Sequence, residues 1–90
     1  MKADRARVLR LLKTARGQID GIMKMVEEDQ YCVDISHQLL ASRALLRKVN
    51  AEILEGHIRC CVRDAFRAGA EEESDAKVRE LIDLLGKMAK

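Results

Sequence analysis

The side chains in this sequence that are best suited to bind a soft metal ion belong to three cysteines and one histidine. Cys32 lies near the start of a long stretch without proline, and His57, Cys60 and Cys61 lie near its end. Thiolate sulfur and imidazole nitrogen are the ligands that thiophilic metals prefer. The N-terminus lacks the apolar core of a signal peptide, and three is an odd number of cysteines. Both features favour a cytoplasmic protein whose cysteines are ligands or redox thiols rather than disulfide partners.

The spacing of these residues indicates a site shared between two chains. On a helix, His57 and Cys61 stand one turn apart on the same face and can chelate one ion. Cys32 precedes His57 by 25 residues, or ~38 Å of helix axis, so it cannot reach the pair within its own helix. At about 100° per residue, however, His57 and Cys61 both return to within about 20° of the direction of Cys32. Two such helices packed antiparallel about a two-fold axis bring Cys32 of one chain to His57 and Cys61 of the other, twice.

The expected donor set favours copper over zinc. Two thiolates and one imidazole suit trigonal Cu(I), whereas Zn(II) normally takes a fourth ligand. The choice between Cys61 and Cys60 stays open at this point, because supercoiling toward 3.5 residues per turn would move Cys60 toward the shared face and Cys61 away from it.

Two other classes of protein also fit cysteines in this setting. A buried cysteine often serves as a small hydrophobe, which allows a plain helical interaction module with incidental cysteines. A Cys–His enzyme would need an oriented third group and an oxyanion hole. The chain has no glycine-rich loop to build such a pocket, and we therefore predict that it is not an enzyme.

The elements that must position these residues are three helices. Apolar residues recur at helical spacing over residues 3–28, 31–67 and 74–88, which predicts an all-α fold with one long central helix. We expect residues 1–90 to form a single helical domain. Asp29 and Ser74 are expected to cap the second and third helices, Gly69 to end the second, and residues 71–73 to form an acidic connector. Gly17 interrupts the first helix, and its expected use is close approach by another helix or by a ligand.

Composition and charge restrict the partners. The 90 residues include one Phe, one Tyr and no Trp, so the small core must be aliphatic, and oligomerisation would add stability. No segment is apolar enough to span a membrane. Residues 1–24 carry a formal charge of +5, against −3 for the remainder. The basic first helix is therefore either a solvated face or a surface for nucleic acid.

Four segments of the chain resemble, in order and spacing, the copper-sensing repressors of the CsoR family. They are residues 16–18 (RGQ), 29–34 (DQYCVD), 44–49 (ALLRKV) and 55–62 (EGHIRCCV). The resemblance implies a bacterial cytoplasmic transcriptional repressor that binds double-stranded operator DNA and leaves it when an effector binds. It also implies an antiparallel homodimer that assembles into a disc-like homotetramer.

The resemblance assigns roles to individual residues. One Cu(I) per protomer is expected at Cys32 of one chain with His57 and Cys61 of the other. Tyr31 and Glu80 match residues that surround the ligands in the family. The basic residues tied to operator binding match Arg16, Arg47 and Lys48.

Other branches of the family sense nickel or cobalt, formaldehyde, or persulfides. The combination of Cys32, His57 and Cys61 fits the copper branch best. A thiol- or persulfide-responsive repressor of the same family, using Cys32 and Cys61, is the alternative, because Cys60 adds a neighbouring thiol whose role the resemblance leaves open.

Overall fold

A computed structural model describes residues 1–69 and 71–88, and every element in these residues is helical. The elements are α1 (Arg5–Glu27), α2 (Cys32–His57), a π-helical turn (Ile58–Val62), α3 (Arg63–Arg67) and α4 (Glu71–Met88). The segment from α2 to α3 runs without a break and forms one rod of roughly 54 Å. The prediction of an all-α fold with a dominant central helix is confirmed.

The two ends of α1 are fixed by local hydrogen bonds. Asp4 precedes the helix, and its carboxylate accepts a hydrogen bond of 3.1 Å from the backbone N–H of Arg7. At the other end, the N–H of Gln30 donates to the carbonyl of Met25 and that of Asp29 to Val26, at 3.0 and 3.1 Å. This is a Schellman ending, in which one residue takes the left-handed conformation.

Asp29 is that left-handed residue, with φ of 52°. It therefore ends α1, and the prediction that it caps the second helix is wrong. The residue before α2 is Tyr31, whose side chain forms no capping hydrogen bond. Aspartate tolerates the left-handed region better than most residues, which explains why it occupies this position.

The start of α4 also differs from the prediction. The three glutamates at residues 71–73, expected as a connector, form the first turn of α4. Negative side chains are favoured there by the helix dipole. Ser74 is buried inside this turn, where its hydroxyl donates to the carbonyl of Ala65 at 3.2 Å instead of capping the helix. Gly69 has a φ of 73° and ends α3, as predicted.

A single chain buries very little. Among the side chains that the structure describes, the buried apolar ones are Val8, Ala15, Ile22, Val49 and Ala65. The first three are spaced by seven along α1 and pack against α2, where Ser42 also donates to Gln18 at 2.9 Å. α4 contacts only the π turn and α3 among the described elements. The outer face of α4 is open, with Val78, Ile82 and Leu85 at 37, 61 and 60% exposure.

The shape of the chain follows from this packing. Its extents are 58 × 28 × 13 Å and its radius of gyration is 17.7 Å, whereas a compact domain of this length would have a radius of gyration of about 12 Å. A slab one helix thick has no interior of its own, so apolar faces on both sides stay exposed. No helix among the described residues is long and apolar enough to cross a membrane.

We expect the protein to be a dimer or larger at micromolar concentration, because Leu39 and Leu46 are 53 and 44% exposed on one face of α2. Leu46→Glu should weaken this association by tenfold or more. The matched control is Ala44→Glu, on an exposed face about 160° away. Light scattering across a dilution series measures both effects, and a stable monomer in the parent protein would contradict the expectation.

Candidate metal centre and nucleic-acid surface

The four candidate metal ligands lie at the two ends of α2. Cys32 is the first residue of this helix and is exposed. His57 is its last residue and is half-buried. Cys60 and Cys61 follow in the π turn, both half-buried. The predicted ligands are therefore placed on one continuous rod, and their side chains are accessible from outside the chain.

The straight α-helix between Cys32 and His57 keeps them apart. With 26 residues in α2, the two side chains are separated by ~38 Å along the axis. Among the described residues, no three His, Cys, Asp or Glu side chains lie close enough together to hold one metal ion. A site that uses both ends of the helix must therefore take its ligands from two chains.

The face of α2 between these ends is apolar and open. Leu39 and Leu46 both project within about 40° of the direction of Cys32, and so does His57, at about 100° per residue. Both leucines are about half exposed. Cys32 and His57 thus share one stripe along the rod with the exposed leucines, and a second helix that covers the leucines would also cover these two candidate ligands.

The π turn changes the directions in which the side chains of Cys60 and Cys61 project around the helix axis. Helix periodicity alone did not distinguish these two cysteines as ligands. Hydrogen bonds in a π-helix run from i to i+5, which corresponds to about 80° per residue instead of about 100°. Counting from His57 through this turn, Cys61 lies about 60° from the direction of Cys32, and Cys60 about 140° from it. This change is opposite in sense to the effect of supercoiling, and Cys61 stays the predicted ligand.

Tyr31 and Glu80 lie far from each other in the single chain. Tyr31 precedes Cys32 at the start of α2 and is 68% exposed. Glu80 lies on α4, where it forms a weak pair of 3.9 Å with Lys77. Within the described chain, neither side chain forms a hydrogen bond with His57. Tyr31 would accompany Cys32 to the far end of a partner helix, whereas Glu80 is on the helix that contacts the π turn of its own chain.

The three basic residues predicted for DNA binding are all exposed: Arg16 on α1, and Arg47 and Lys48 on α2. Among the described residues, none of them lies within 4.0 Å of a carboxylate. Arg16 begins the RGQ segment, whose Gln18 accepts the hydrogen bond from Ser42 and so fixes this part of α1 against α2. These positive charges are available to an external anion.

The structure adds Arg43 to this group, a residue that the sequence pattern did not single out. Arg43 and Arg47 are one turn apart and line the same two grooves on α2, of about 410 and 230 Å³. Met88, at the end of α4, lines the smaller groove. Two unpaired like charges at this spacing repel each other unless an anion neutralises them. The signal in the sequence that could have identified Arg43 is its position four residues before Arg47, on the same face of a helix.

Comparisons with known proteins agree with this geometry. The family model for metal-sensitive transcriptional repressors matches residues 4–87. The copper-sensing transcriptional repressor CsoR of Bacillus subtilis (strain 168) is 42% identical over 79 residues, which is 88% of this chain and 75% of that protein. This chain belongs to the metal-sensitive transcriptional repressor family.

Two further relatives support this membership. CsoR of Mycobacterium ulcerans (strain Agy99) is 43% identical over 75 residues, covering 83% of this chain and 62% of that longer protein. Among solved structures, the copper-sensing repressor CsoR with Cu(I) from Geobacillus thermodenitrificans NG80-2 has a TM-score of 0.85 at 39% identity. The match covers 94% of this chain and 85% of that one.

Membership in this repressor family confirms the resemblance found in the sequence. It also confirms the prediction that the chain is a transcriptional regulator and not an enzyme. The individual ligands and the residues assigned to DNA binding stay predictions, because family membership does not by itself identify them.

Proposed function

We propose that this chain is a copper-responsive transcriptional repressor of the CsoR type. In the metal-free state it binds operator DNA, and it is released when Cu(I) binds at Cys32 of one protomer together with His57 and Cys61 of another. The observation that carries the proposal is the stripe on α2, where two thiols and an imidazole lie at opposite ends of an exposed apolar face. Relatives named as copper-sensing repressors, one of them solved with Cu(I), support copper as the effector.

The donor set fits Cu(I) on chemical grounds. Two thiolates and one imidazole satisfy a soft monovalent ion at low coordination number, and Zn(II) would require a fourth donor. A two-fold axis between antiparallel rods repeats the set at both ends, which gives one ion per protomer.

The protomers meet along the leucines of the same stripe. Packing two α2 rods over Leu39 and Leu46 buries apolar surface that one chain leaves open and places each Cys32 beside the partner's π turn. The open face of α4, with Ile82 and Leu85 about 60% exposed, supplies a second surface through which dimers join into a tetramer. Tyr31 and Glu80 are the candidates to accept or donate a hydrogen bond at the ring nitrogen of His57 that faces away from the ion.

DNA binding rests on phosphate contacts from Arg16, Arg47 and Lys48. The neighbouring Arg43 adds charge to the same surface, and several protomers present it together. Release of counterions from the DNA then supplies much of the affinity, which makes binding sensitive to salt. Since the ion bridges two chains, its binding favours one packing of the rods over another, and such a preference is what coupling to DNA requires.

Operator affinity should fall steeply with salt, and Arg16→Ala or Lys48→Ala should weaken it while leaving Cu(I) affinity unchanged. Each variant removes one phosphate-binding charge per protomer, so the slope of log affinity against log salt should fall by about one for every protomer that contacts the DNA. Lys87→Ala removes the same charge from α4 and serves as the control. Fluorescence anisotropy with labelled operator DNA measures the slopes, and unchanged DNA affinity in both variants would show that the assigned surface is wrong.

Cys32→Ala and Cys61→Ala should each abolish tight Cu(I) binding, because each removes a thiolate, whereas Cys60→Ala should retain it. Mixed dimers of the first two variants should recover one site per dimer, since one end collects both intact thiolates and the other collects none. Anaerobic titration against a Cu(I) chelator measures the stoichiometry.

Two outcomes of these titrations count against the proposed site. Loss of binding in Cys60→Ala but not in Cys61→Ala would refute the direction assigned from the π turn. Mixed dimers that form without recovering a site would refute the inter-chain ligand set.

Release from DNA by a persulfide donor but not by Cu(I) would establish the thiol-responsive alternative.

His57→Ala should separate copper binding from signalling. Two thiolates satisfy Cu(I) in a linear arrangement, so this variant should retain much of the affinity through Cys32 and Cys61. The imidazole alone has a second ring nitrogen that reaches a neighbouring side chain, so the variant should stay on the operator when Cu(I) is added. Competition with a chelator measures the Cu(I) affinity of the variant, and fluorescence anisotropy with labelled operator DNA at saturating Cu(I) measures its release. A variant released as readily as the parent would show that coupling runs through the thiolates.

A further inference from the structure

The two adjacent cysteines of the π turn include one thiol, that of Cys60, which the proposed copper site does not use. Cys60 and Cys61 are both free and both half-buried, and they lie next to each other in the turn Ile58–Val62. Among the described residues, neither sulfur takes part in a hydrogen bond. The turn therefore presents two thiols on consecutive residues of the same chain.

The helical backbone keeps these two thiols from forming a disulfide with each other. The Cα atoms of consecutive residues are ~3.8 Å apart across a trans peptide bond. A disulfide normally joins residues whose Cα atoms are roughly 4.4–6.8 Å apart, and its two sulfurs lie ~2.05 Å from each other. A direct bond between Cys60 and Cys61 would require the turn to unwind, whereas an atom that bridges the two sulfurs lets them stay further apart.

The π turn also brings the two side chains closer in direction. Successive side chains differ by about 80° around the axis of a π-helix, against about 100° in an α-helix. Each cysteine has one side-chain torsion, about its Cα–Cβ bond, that swings the sulfur between staggered positions. The two sulfurs can therefore approach one bridging atom beside the peptide bond that joins their residues.

The geometry of the pair selects among the elements that bind thiolates. No group of three His, Cys, Asp or Glu side chains in the described chain could hold a metal ion, and Zn(II) normally takes four donors. Hg(II) holds two thiolates on opposite sides of the ion, which is too wide a span for neighbouring residues. Trivalent arsenic with one organic group has two open positions nearly at right angles, and it is a soft centre that prefers sulfur. These two positions match two sulfurs on consecutive residues.

We propose that Cys60 and Cys61 together bind trivalent arsenicals of the form R–As(OH)2, where R is one organic group. Two As–O bonds break and two As–S bonds form. The two hydroxyl groups leave as two molecules of water and take the two thiol protons with them, while arsenic stays trivalent. The product is a ring that contains the arsenic atom, both sulfurs and the peptide bond between the two residues.

Occupation of this pair acts against copper, a consequence that rests on the proposed function. Cys61 is a ligand in the proposed copper site, so the arsenical and Cu(I) compete for the same sulfur. Closing the ring also draws that sulfur toward Cys60, which lies about 140° from the direction of Cys32, against about 60° for Cys61. The arsenical thus occupies a ligand of one chain without engaging Cys32 of the other, and it blocks copper without bridging the chains.

Phenylarsine oxide, which hydrates to an arsenical of this form, tests the site in reduced, metal-free protein. The parent should bind one arsenic per chain and lose two titratable thiols per chain, as measured by native mass spectrometry and a thiol assay. The dithiol 2,3-dimercaptopropanol should remove the arsenic, whereas a monothiol at the same thiol concentration should not, because only a second chelating pair competes with a closed ring.

Cys60→Ala and Cys61→Ala should each weaken binding by about a hundredfold or more, because the effective concentration that the second thiol supplies is lost. Cys32→Ala is the matched control: it also removes one thiol from the rod and should leave the arsenical affinity unchanged. Alanine is a strong helix former, so all three variants should keep the helical circular dichroism of the parent. A parent that takes up no arsenic, full affinity in Cys60→Ala, or an equal loss in Cys32→Ala would overturn the proposal.

Operator binding then tests the competition with copper. The parent loaded with phenylarsine oxide should stay on the operator when Cu(I) is added, whereas Cys60→Ala, treated with the arsenical and then washed, should be released as the untreated protein is. Fluorescence anisotropy with labelled operator DNA measures both. Release of the loaded parent by Cu(I), or release by the arsenical alone, would refute the blocking of copper. An untreated parent that ignores Cu(I) would instead refute the proposed function, and the metal-free titrations would still decide the arsenical site.

Discussion

The distance between the two ends of α2 is the constraint on which the rest of this molecule depends. An α-helix is stiff along its axis, and 26 residues of it hold Cys32 and His57 ~38 Å apart. No movement of one chain can bring these side chains to the same ion. Any site that uses both must form between chains, and an antiparallel two-fold arrangement would create two such sites at once. The chain is also thin, 13 Å in its shortest extent, and it leaves apolar faces exposed that other copies would cover in the proposed assembly.

The π turn gives the side chains at the far end of the rod directions that they would not have in a plain α-helix. It falls on the residues that follow His57, where π turns in other proteins are frequently associated with function. By slowing the rotation of successive side chains, it turns Cys60 away from the stripe of Leu39 and Leu46 and keeps Cys61 nearer to it. In the proposed site, this backbone feature would allow the two adjacent cysteines to have different roles.

The helical spacing of apolar residues in the sequence predicted those features of the structure that follow from regular helix geometry. The long rod, its end at Gly69 and the shared face of Cys32 and His57 all follow from apolar spacing and helix geometry. The π turn did not follow, because a change from i+4 to i+5 bonding leaves no mark in residue type. Asp29 was predicted to begin a helix and instead ends one, since the same aspartate suits an N-cap and a left-handed position.

The glycines show more clearly which features could not be predicted from the sequence. Gly17 was expected to permit close approach, yet no described atom of its own chain lies within 4 Å of a Cβ placed there. Gly56 permits it, although its sequence neighbours gave no sign of this. The reason is that the atoms it accommodates belong to residues 2 and 3, more than fifty positions away. Only tertiary structure brings such atoms together, so the sequence predicted candidate ligands and not the contacts that support the turn next to them.

Contacts that support the metal ligands matter because tight binding of an ion does not by itself release a protein from DNA. An effector shifts an equilibrium only by its difference in affinity for the two states. In the proposed site, the imidazole and one thiolate belong to one chain, whose α1 is bound to α2 by the Arg7–Glu52 ion pair, and the other thiolate is Cys32 of a second chain. An ion held by both must therefore set the start of one rod against the α1 of another chain. Because α1 packs along α2 through Val8, Ala15 and Ile22, in the proposed mechanism it would respond as one body, and the basic surface that includes Arg16 would move with it.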